Sequence, residues 1–88
     1  SVMTMSVEIQ RQIYACIQKY RDTIGDMVLV VNSEVLSRFK NEDASLLMEL
    51  ERQHSGRLIF RGDHNQHRES FAIYDARYDN KPLYQSGQ

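Results

Sequence analysis

The run Met27-Val28-Leu29-Val30-Val31 constrains the fold of this chain more than any other feature. Five consecutive apolar residues, three of them valine, favour an extended strand, because β-branched side chains pack well on a pleated surface. Successive strand residues point to opposite faces, so an unbroken apolar run presents apolar side chains to both faces of a sheet. We therefore expect a central strand that is buried on both faces.

An amphipathic helix is predicted before this strand. Apolar residues recur between residues 5 and 24 at the i, i+4 and i+8 spacing that places them on one helical face. Thr4 or Ser6 is expected to cap the start, since a side-chain oxygen there accepts hydrogen bonds from exposed backbone N–H groups. Gly25 with Asp26 is expected to end the helix.

Two short helices, or one broken helix, are predicted after the strand. Ser33 is expected to cap the first, and Asn41 or Asp43 begins the second, which stops near Gly56. Two further strands are then predicted at 58–60 and 71–74, with the loop at 62–68 joining them as a wide antiparallel hairpin.

These elements predict an α+β fold in the order helix-strand-helices-strand-strand. Residues 1–76 form a single small domain with a three-stranded mixed sheet covered by helices, and residues 77–88 form a polar, flexible tail. The first two strands flank a helical crossover, so we expect them to be parallel with a right-handed connection. The opening Ser1-Val2-Met3 suggests a segment of a longer chain.

The charge balance argues against strong nucleic-acid binding by the segment alone. Eleven basic residues face twelve acidic ones, for a net charge of −1, whereas nucleic-acid-binding modules usually carry a basic excess. A single cysteine suits a reducing compartment. No apolar run approaches the roughly 20 residues of a membrane span, and no signal-peptide pattern occurs, so we expect a cytoplasmic location.

The loop at 62–68 and the residues just after it concentrate the polar chemistry of the chain. His64 and His67 with Asp63 and Glu69 suggest a metal site or an acid–base pair. Two histidines three apart suit one face of a helix, whereas this segment is predicted to be a loop, and a closed zinc site needs four placed ligands. An acid–base pair needs a pocket that separates two pKa values, which nothing here predicts. The favoured interpretation is a solvated loop.

Cys16 and the distant His54 are a possible pair of nucleophile and general base. Cys16 lies on the apolar stripe of the first helix, where a buried structural thiol is the favoured interpretation. We therefore assign no catalytic residue, no cofactor-binding residue and no metal ligand within this segment.

Two surfaces are candidates for binding. Arg57, Arg61 and Arg68 are candidate RNA contacts, and the first two share one side of a strand by the period of two. The candidate assembly surface consists of apolar residues, namely Met3, Met5, Tyr14 and Met48, with the aromatic residues Tyr78 and Tyr84 of the tail as further candidates.

An ordered series of motifs then resembles one family. The series begins with Ser6-Val7-Glu8-Ile9-x-Arg11-x-Ile13 and continues with the apolar run followed by Asn32. The next motifs along the chain are Val35-Leu36, Leu47-x-x-Leu50-Glu51 and Gly56-x-Leu58-Ile59-Phe60. The sharpest match is His67-x-Glu69-x-Phe71-x-Ile73. Together they resemble the C-terminal small domain of the catalytic region in the ribonuclease E/G family. The chain departs from that pattern at His64, where the family often has proline, and at Ala72, where it often has aspartate.

The resemblance implies a role in a larger enzyme. The family comprises single-strand-specific endoribonucleases that prefer a 5′-monophosphate end and use magnesium to activate water. Their metal-binding aspartates and paired-cysteine zinc link lie upstream, so magnesium and zinc are implied for the parent and not for this segment. The small domain there helps dimers to assemble into a tetramer. The expected partners are thus copies of the chain, the rest of the nuclease, and RNA through the parent.

Two other function classes stay open. A small RNA-binding α/β module of the KH kind would contact RNA directly, although the chain lacks the Gly-x-x-Gly loop that clamps the backbone in that class. A free-standing metal-dependent enzyme would require His64 or His67 to bind metal. The assembly role is the interpretation that we favour.

Overall fold

A computed structural model of the chain describes residues 2–21, 23–42, 44–78 and 80–86, with side chains from Thr4 onward. The described elements follow the order α1 (Val2–Lys19), β1 (Met27–Val31), α2 (Ser33–Glu42), α3 (Ala44–Arg52), β2 (Leu58–Gly62), β3 (Phe71–Asp75) and β4 (Tyr84–Gln85). The α+β class is confirmed. The prediction of a three-stranded sheet is wrong, because the sheet has four strands.

β1 lies inside the sheet, whose strand order is β2-β1-β3-β4. β1 pairs in parallel with β2, as predicted from the helical crossover, and antiparallel with β3. The predicted hairpin is therefore wrong, because β1 separates β2 from β3. The connecting loop has to span two strand spacings, about 10 Å, which eight residues reach easily. The most apolar strand thereby gains a partner on each edge.

The fourth strand lies in the segment that we interpreted as a polar tail. Tyr84 is opposite Ile73, and the Leu83 N–H donates to the Ile73 carbonyl at 2.7 Å. The Ser86 N–H donates to the Phe71 carbonyl at 2.9 Å. The Tyr84 and Phe71 rings pack with centroids 5.4 Å apart. A two-residue strand leaves almost no periodic signal in the sequence. Its position is evident only from the structure, where it pairs with the edge of β3 that β1 does not occupy.

All three helices contribute to one core on a single face of the sheet. Met27, Leu29 and Val31, the alternate residues of β1, point into this core and are fully buried. The helices and the neighbouring strands supply the other members of the cluster, among them Ile9, Ile13, Val35, Leu36, Phe39, Leu50, Leu58, Phe71 and Ile73. This face of the sheet is the dry interior of the domain.

Two predicted helix boundaries are wrong. α1 already includes Thr4 and Ser6, so neither residue is its cap. α1 ends at Lys19 and not at Gly25, and the chain leaves it through a turn in which the Ile24 N–H donates to the Tyr20 carbonyl at 2.9 Å. Tyr20 and Ile24 pack against the core from this turn. The helical spacing of apolar residues therefore continues in the sequence beyond the end of α1.

The predicted pair of helices after β1 is confirmed as two elements. Asn41 lies inside α2 and so does not begin α3. The other predicted start, Asp43, lies outside the described residues.

Candidate functional site

Asn32 organises the junction between β1, α2 and the loop at 63–70. Its Oδ1 accepts from the Glu34 N–H at 2.9 Å and from the Val35 N–H at 3.4 Å. Asn32 is therefore the N-cap of α2, and the predicted cap, Ser33, is the first helical residue. The Asn32 Nδ2 donates to the Gln66 carbonyl at 3.0 Å. One nearly buried side chain thus holds both the helix start and the loop.

The first half of the loop is closed by Asp63. The Asp63 N–H donates to the Val31 carbonyl at 2.8 Å, and its carboxylate accepts from the Asn65 N–H at 2.9 Å. The Gln66 N–H then donates to the Asp63 carbonyl at 3.0 Å. A side chain that accepts from the backbone two residues on is typical of a local turn. The Asp63 carboxylate is used within the loop itself.

The second half of the loop is closed by His67 and Ser70. The His67 Nδ1 accepts from the Glu69 N–H at 3.0 Å, so the proton of the neutral ring lies on Nε2. The Ser70 N–H and hydroxyl both donate to the His67 carbonyl at 3.1 Å. The Gln66 amide donates to the buried Ser70 hydroxyl at 2.8 Å. These bonds fix the chain as it enters β3.

The candidate metal chemistry of the loop has little geometric support. His64 and His67 are both exposed, and one ring nitrogen of His67 already serves the backbone. Within the described ranges, no group of three or more His, Cys, Asp or Glu side chains is arranged to hold a metal ion. The loop is a hydrogen-bonded connection whose polar groups satisfy one another.

Cys16 and His54 have separate structural roles. Cys16 is buried in the core cluster, and this burial raises the pKa of its thiol, which opposes formation of the nucleophilic thiolate. The His54 ring is also buried, and its Nε2 lies 2.7 Å from the Gly25 carbonyl oxygen. That nitrogen therefore donates its proton to a fixed backbone acceptor and holds the end of α3 against the turn before β1.

The three candidate RNA-contacting arginines are exposed but do not form one cluster. Arg57 directly precedes β2 and Arg61 lies within it, two strand periods apart, so both point to the same side. Arg68 lies in the loop and forms an ion pair with Glu34 at the start of α2. The Arg57 backbone N–H donates to the Asp26 carboxylate at 2.9 Å, which places an acidic group beside this arginine. An RNA contact by these residues stays a prediction.

The candidate assembly residues differ in exposure. Tyr14 on α1 is 54 % exposed and Met48 on α3 is 68 % exposed. Met5 is partly buried and packs against the core, while the Met3 side chain lies outside the described residues. Sequence reasoning missed Val7, which is 50 % exposed on α1. Its position seven residues before Tyr14 places both on one side of the helix and was the available signal.

An ion pair between Asp75 and Arg77 closes the end of β3. The Asp75 carboxylate accepts from Arg77 Nη2 at 2.7 Å, from Arg77 Nε at 3.0 Å and from the Arg77 backbone N–H at 3.0 Å. The Arg77 side-chain bonds, and then the backbone bond, lower the pKa of Asp75. Arg77 also donates to the Thr23 carbonyl at 2.9 Å. The pair fastens the end of β3 to the turn after α1.

No protein-family model, no curated protein and no solved structure matches this chain. Among the described helices, none is long and apolar enough to cross a membrane.

Proposed function

We propose that this chain is the C-terminal small domain of a ribonuclease E/G-type endoribonuclease, acting in RNA processing and decay. Its role is to assemble the enzyme into an oligomer, and catalysis belongs to other parts of the parent. Magnesium and zinc would be held by those other parts. The single cysteine is the residue-level argument for a reducing, cytoplasmic setting.

The observation that carries the proposal is the structure of the motif His67-x-Glu69-x-Phe71-x-Ile73, whose first half orders a loop and whose second half fills the core. Phe71 and Ile73 point from β3 into the core and are 2 % and 0 % exposed. His67 and Glu69 form the local bond that directs the loop into that strand. The side chains of His67, Phe71 and Ile73 thus each have a physical task, while Glu69 takes part through its backbone N–H, and this supports the resemblance.

The presence of glycine at position 56, in the motif Gly56-x-Leu58, also has a physical explanation. A Cβ added at Gly56 would overlap the Gly25 carbonyl oxygen and lie 2.7 Å from its carbon. Leu58, two residues later, is buried at the start of β2. Close backbone approach at this turn requires glycine, and this fits a motif position between a helix and a strand.

The proposal is tested on the parent polypeptide. The coding sequence upstream should specify a Cys-Pro-x-Cys segment just before Ser1, preceded by a pair of metal-binding aspartates. The purified parent should cleave single-stranded RNA with a 5′-monophosphate when magnesium is present. A form truncated before Ser1 should have about half the mass of the intact oligomer by light scattering, because dimers no longer join into a tetramer.

Two results would overturn the proposal. The first is an upstream region that lacks both the paired cysteines and the aspartates. The second is a truncated parent whose mass corresponds to an unchanged oligomer, which would remove the assembly role even if the nuclease activity is present.

A second candidate is a KH-like RNA-binding module, favoured by the shared exposed side of Arg57 and Arg61. The sequence contains no Gly-x-x-Gly motif, neither at Asn41-Glu42-Asp43-Ala44 nor elsewhere. Titration of a labelled single-stranded RNA at low salt decides between the two. Binding that weakens with salt and is lost in the double variant Arg57→Gln/Arg61→Gln would favour this module, whereas the assembly role predicts no binding by the isolated chain.

A further inference from the structure

An open cavity of about 420 Å³ lies between the end of α1 and the end of α3. Small-molecule sites usually occupy about 300–1,000 Å³, so the cavity has the size of a ligand site. On α1 and the turn after it, the lining residues recur at 14, 17, 18 and 21, which is the spacing of one helical face. The turn that follows α3, at residues 53–55, supplies the other wall. Two segments that are distant in the sequence thus enclose one recess.

Part of the lining is apolar. Ile17 belongs to the core cluster, and Ile24 is partly buried against it. Tyr14 lines the same cavity and is largely exposed. An aromatic ring that enters can pack against the Tyr14 ring and remove the remaining exposed surface of the two isoleucines from water. The apolar lining therefore favours a ligand with a flat apolar body.

His54 brings a hydrogen-bond acceptor to the cavity. The residue is 7 % exposed, and its Nε2 donates to the Gly25 carbonyl at 2.7 Å, so Nδ1 is the acceptor of the neutral ring. Nδ1 has no hydrogen-bond partner, whereas every fully buried side-chain nitrogen or oxygen of the described residues has one. Nδ1 therefore faces open space, and the open space that His54 lines is this cavity.

Arg21 is the only ionised side chain among the described residues that line the cavity. Its guanidinium takes part in none of the ion pairs found among the described residues. The other polar lining groups, Gln18, Gln53 and Ser55, are uncharged. A ligand anion in this part of the cavity thus meets one cation and, among the described lining residues, no acid. This charge favours a ligand with a single negative charge.

From this arrangement we propose that the cavity binds a small aromatic carboxylate that carries a hydroxyl group on its ring. The carboxylate pairs with the Arg21 guanidinium, whose planar fork matches two carboxylate oxygens. The ring hydroxyl donates to His54 Nδ1, and the ring packs against Tyr14 and Ile17. A ligand without this donor leaves Nδ1 unpaired once water is displaced, and a site of this kind discriminates against such a molecule. Ligand binding here goes beyond the assembly role and does not depend on it.

The first test is a titration of the ¹⁵N-labelled 88-residue chain with 3-hydroxybenzoate, followed by NMR. The amide shifts should saturate with a Kd of about 1 mM or below, as expected for a ligand of about ten non-hydrogen atoms. The shifted amides should lie around Ile17, Ile24 and His54. The amides around Asn65, at the opposite end of β1, should stay constant. This measurement needs no variant and so does not depend on the tolerance of the fold.

Two analogues separate the two polar contacts. Benzoate keeps the charge and lacks the hydroxyl, and it should bind at least about fivefold more weakly than 3-hydroxybenzoate. 3-Hydroxybenzamide keeps the hydroxyl and is uncharged, and it should also bind at least about fivefold more weakly. Long-range ¹H–¹⁵N spectra should show the His54 Nδ1 resonance moving with 3-hydroxybenzoate and not with benzoate. This readout avoids a variant at His54, which would also remove the bond to Gly25.

A variant of the cation tests the charge from the side of the protein. Arg21→Gln should weaken 3-hydroxybenzoate by about fivefold or more and leave 3-hydroxybenzamide unchanged, because the exposed side chain contributes its charge. Arg11→Gln is the matched control on α1, since it removes a cation that does not line the cavity. It should change neither affinity.

Four results would overturn the inference. They are shifts that do not saturate at about 10 mM ligand, saturating shifts that lie outside the cavity, equal affinities of 3-hydroxybenzoate and either analogue, and unchanged binding in Arg21→Gln. The assembly role survives any of them, because the mass of the truncated parent decides it separately.

Discussion

The Asn32 side chain caps α2 with its oxygen and holds the Gln66 carbonyl with its nitrogen. The two bonds use opposite ends of one amide, so the start of the helix and the loop are coupled through a single nearly buried residue. The coupling explains how an eight-residue connection that crosses the end of β1 keeps a defined path.

Asn32→Ala should destabilise the domain by about 1–2 kcal/mol, because it removes a helix cap and leaves the Gln66 carbonyl without this donor. Asn32→Asp should cost less, since the carboxylate still caps α2 and only the second bond is lost. Urea unfolding followed by circular dichroism measures both. Asn41→Ala, at an exposed site inside α2, is the control and should stay within about 0.5 kcal/mol of the original chain. Equal losses in the Ala and Asp variants would show that the cap contributes nothing.

Gly56→Ala should destabilise the domain by about 2 kcal/mol or more, because the new methyl group overlaps fixed backbone at Gly25 and the chain must move. Gly25→Ala is the matched comparison, since a Cβ there meets nothing within 4 Å. That variant should be nearly neutral. The two unfolding midpoints, compared directly, check the prediction, and similar midpoints would contradict the close approach of the two turns.

Arg77→Met should raise the pKa of Asp75, because the variant removes the side-chain hydrogen bonds that lower it. A lowered folded pKa contributes stability above the unfolded value of about 3.9, and this contribution is lost as the pH falls through the folded pKa. The original chain should therefore exceed the variant in stability near neutral pH, with the difference shrinking below about pH 4. NMR titration of the Asp75 carboxyl carbon gives the pKa directly. Arg11→Met, which breaks the pair with Glu8, should leave it unchanged.

Cys16 should react with a thiol reagent only when the core opens. The side chain is 6 % exposed, and burial raises the pKa of its thiol, so both access and thiolate formation are opposed. In the Cys16→Ala background, Ala15→Cys places a thiol one position away on the exposed side of α1. We expect the original thiol to label at least about a hundredfold more slowly than this control. Comparable rates would mean that α1 does not pack as described.

The elements with strong local signals could be predicted from the sequence. The β-branched run identified β1, and the apolar spacing identified α1, α2 and α3, because each pattern depends only on neighbouring residues. The ends of the helices were harder to predict. Tyr20 and Ile24 continue the helical spacing after α1 has ended, since a turn can present the same side chains to the core. Asn32 and Ser33 are both good caps, and only the hydrogen bonds distinguish them.

The candidate site, too, could be predicted from the sequence only in part. The sequence located the polar loop and the side shared by Arg57 and Arg61, since both follow from spacing along the chain. It did not show that Arg68 pairs with Glu34 or that His67 accepts from its own loop, because those contacts depend on how the chain folds back.

The sequence by itself determined that β1 would be apolar on both sides and would lie inside a sheet. Only the tertiary structure decided what each side meets, since all three helices fall on one face and the chain places β1 between β2 and β3. The order of strands depends on which edges find partners, and this is a property of the whole sheet. Local pattern thus sets the composition of both sides of β1, and the topology decides which side faces the helices.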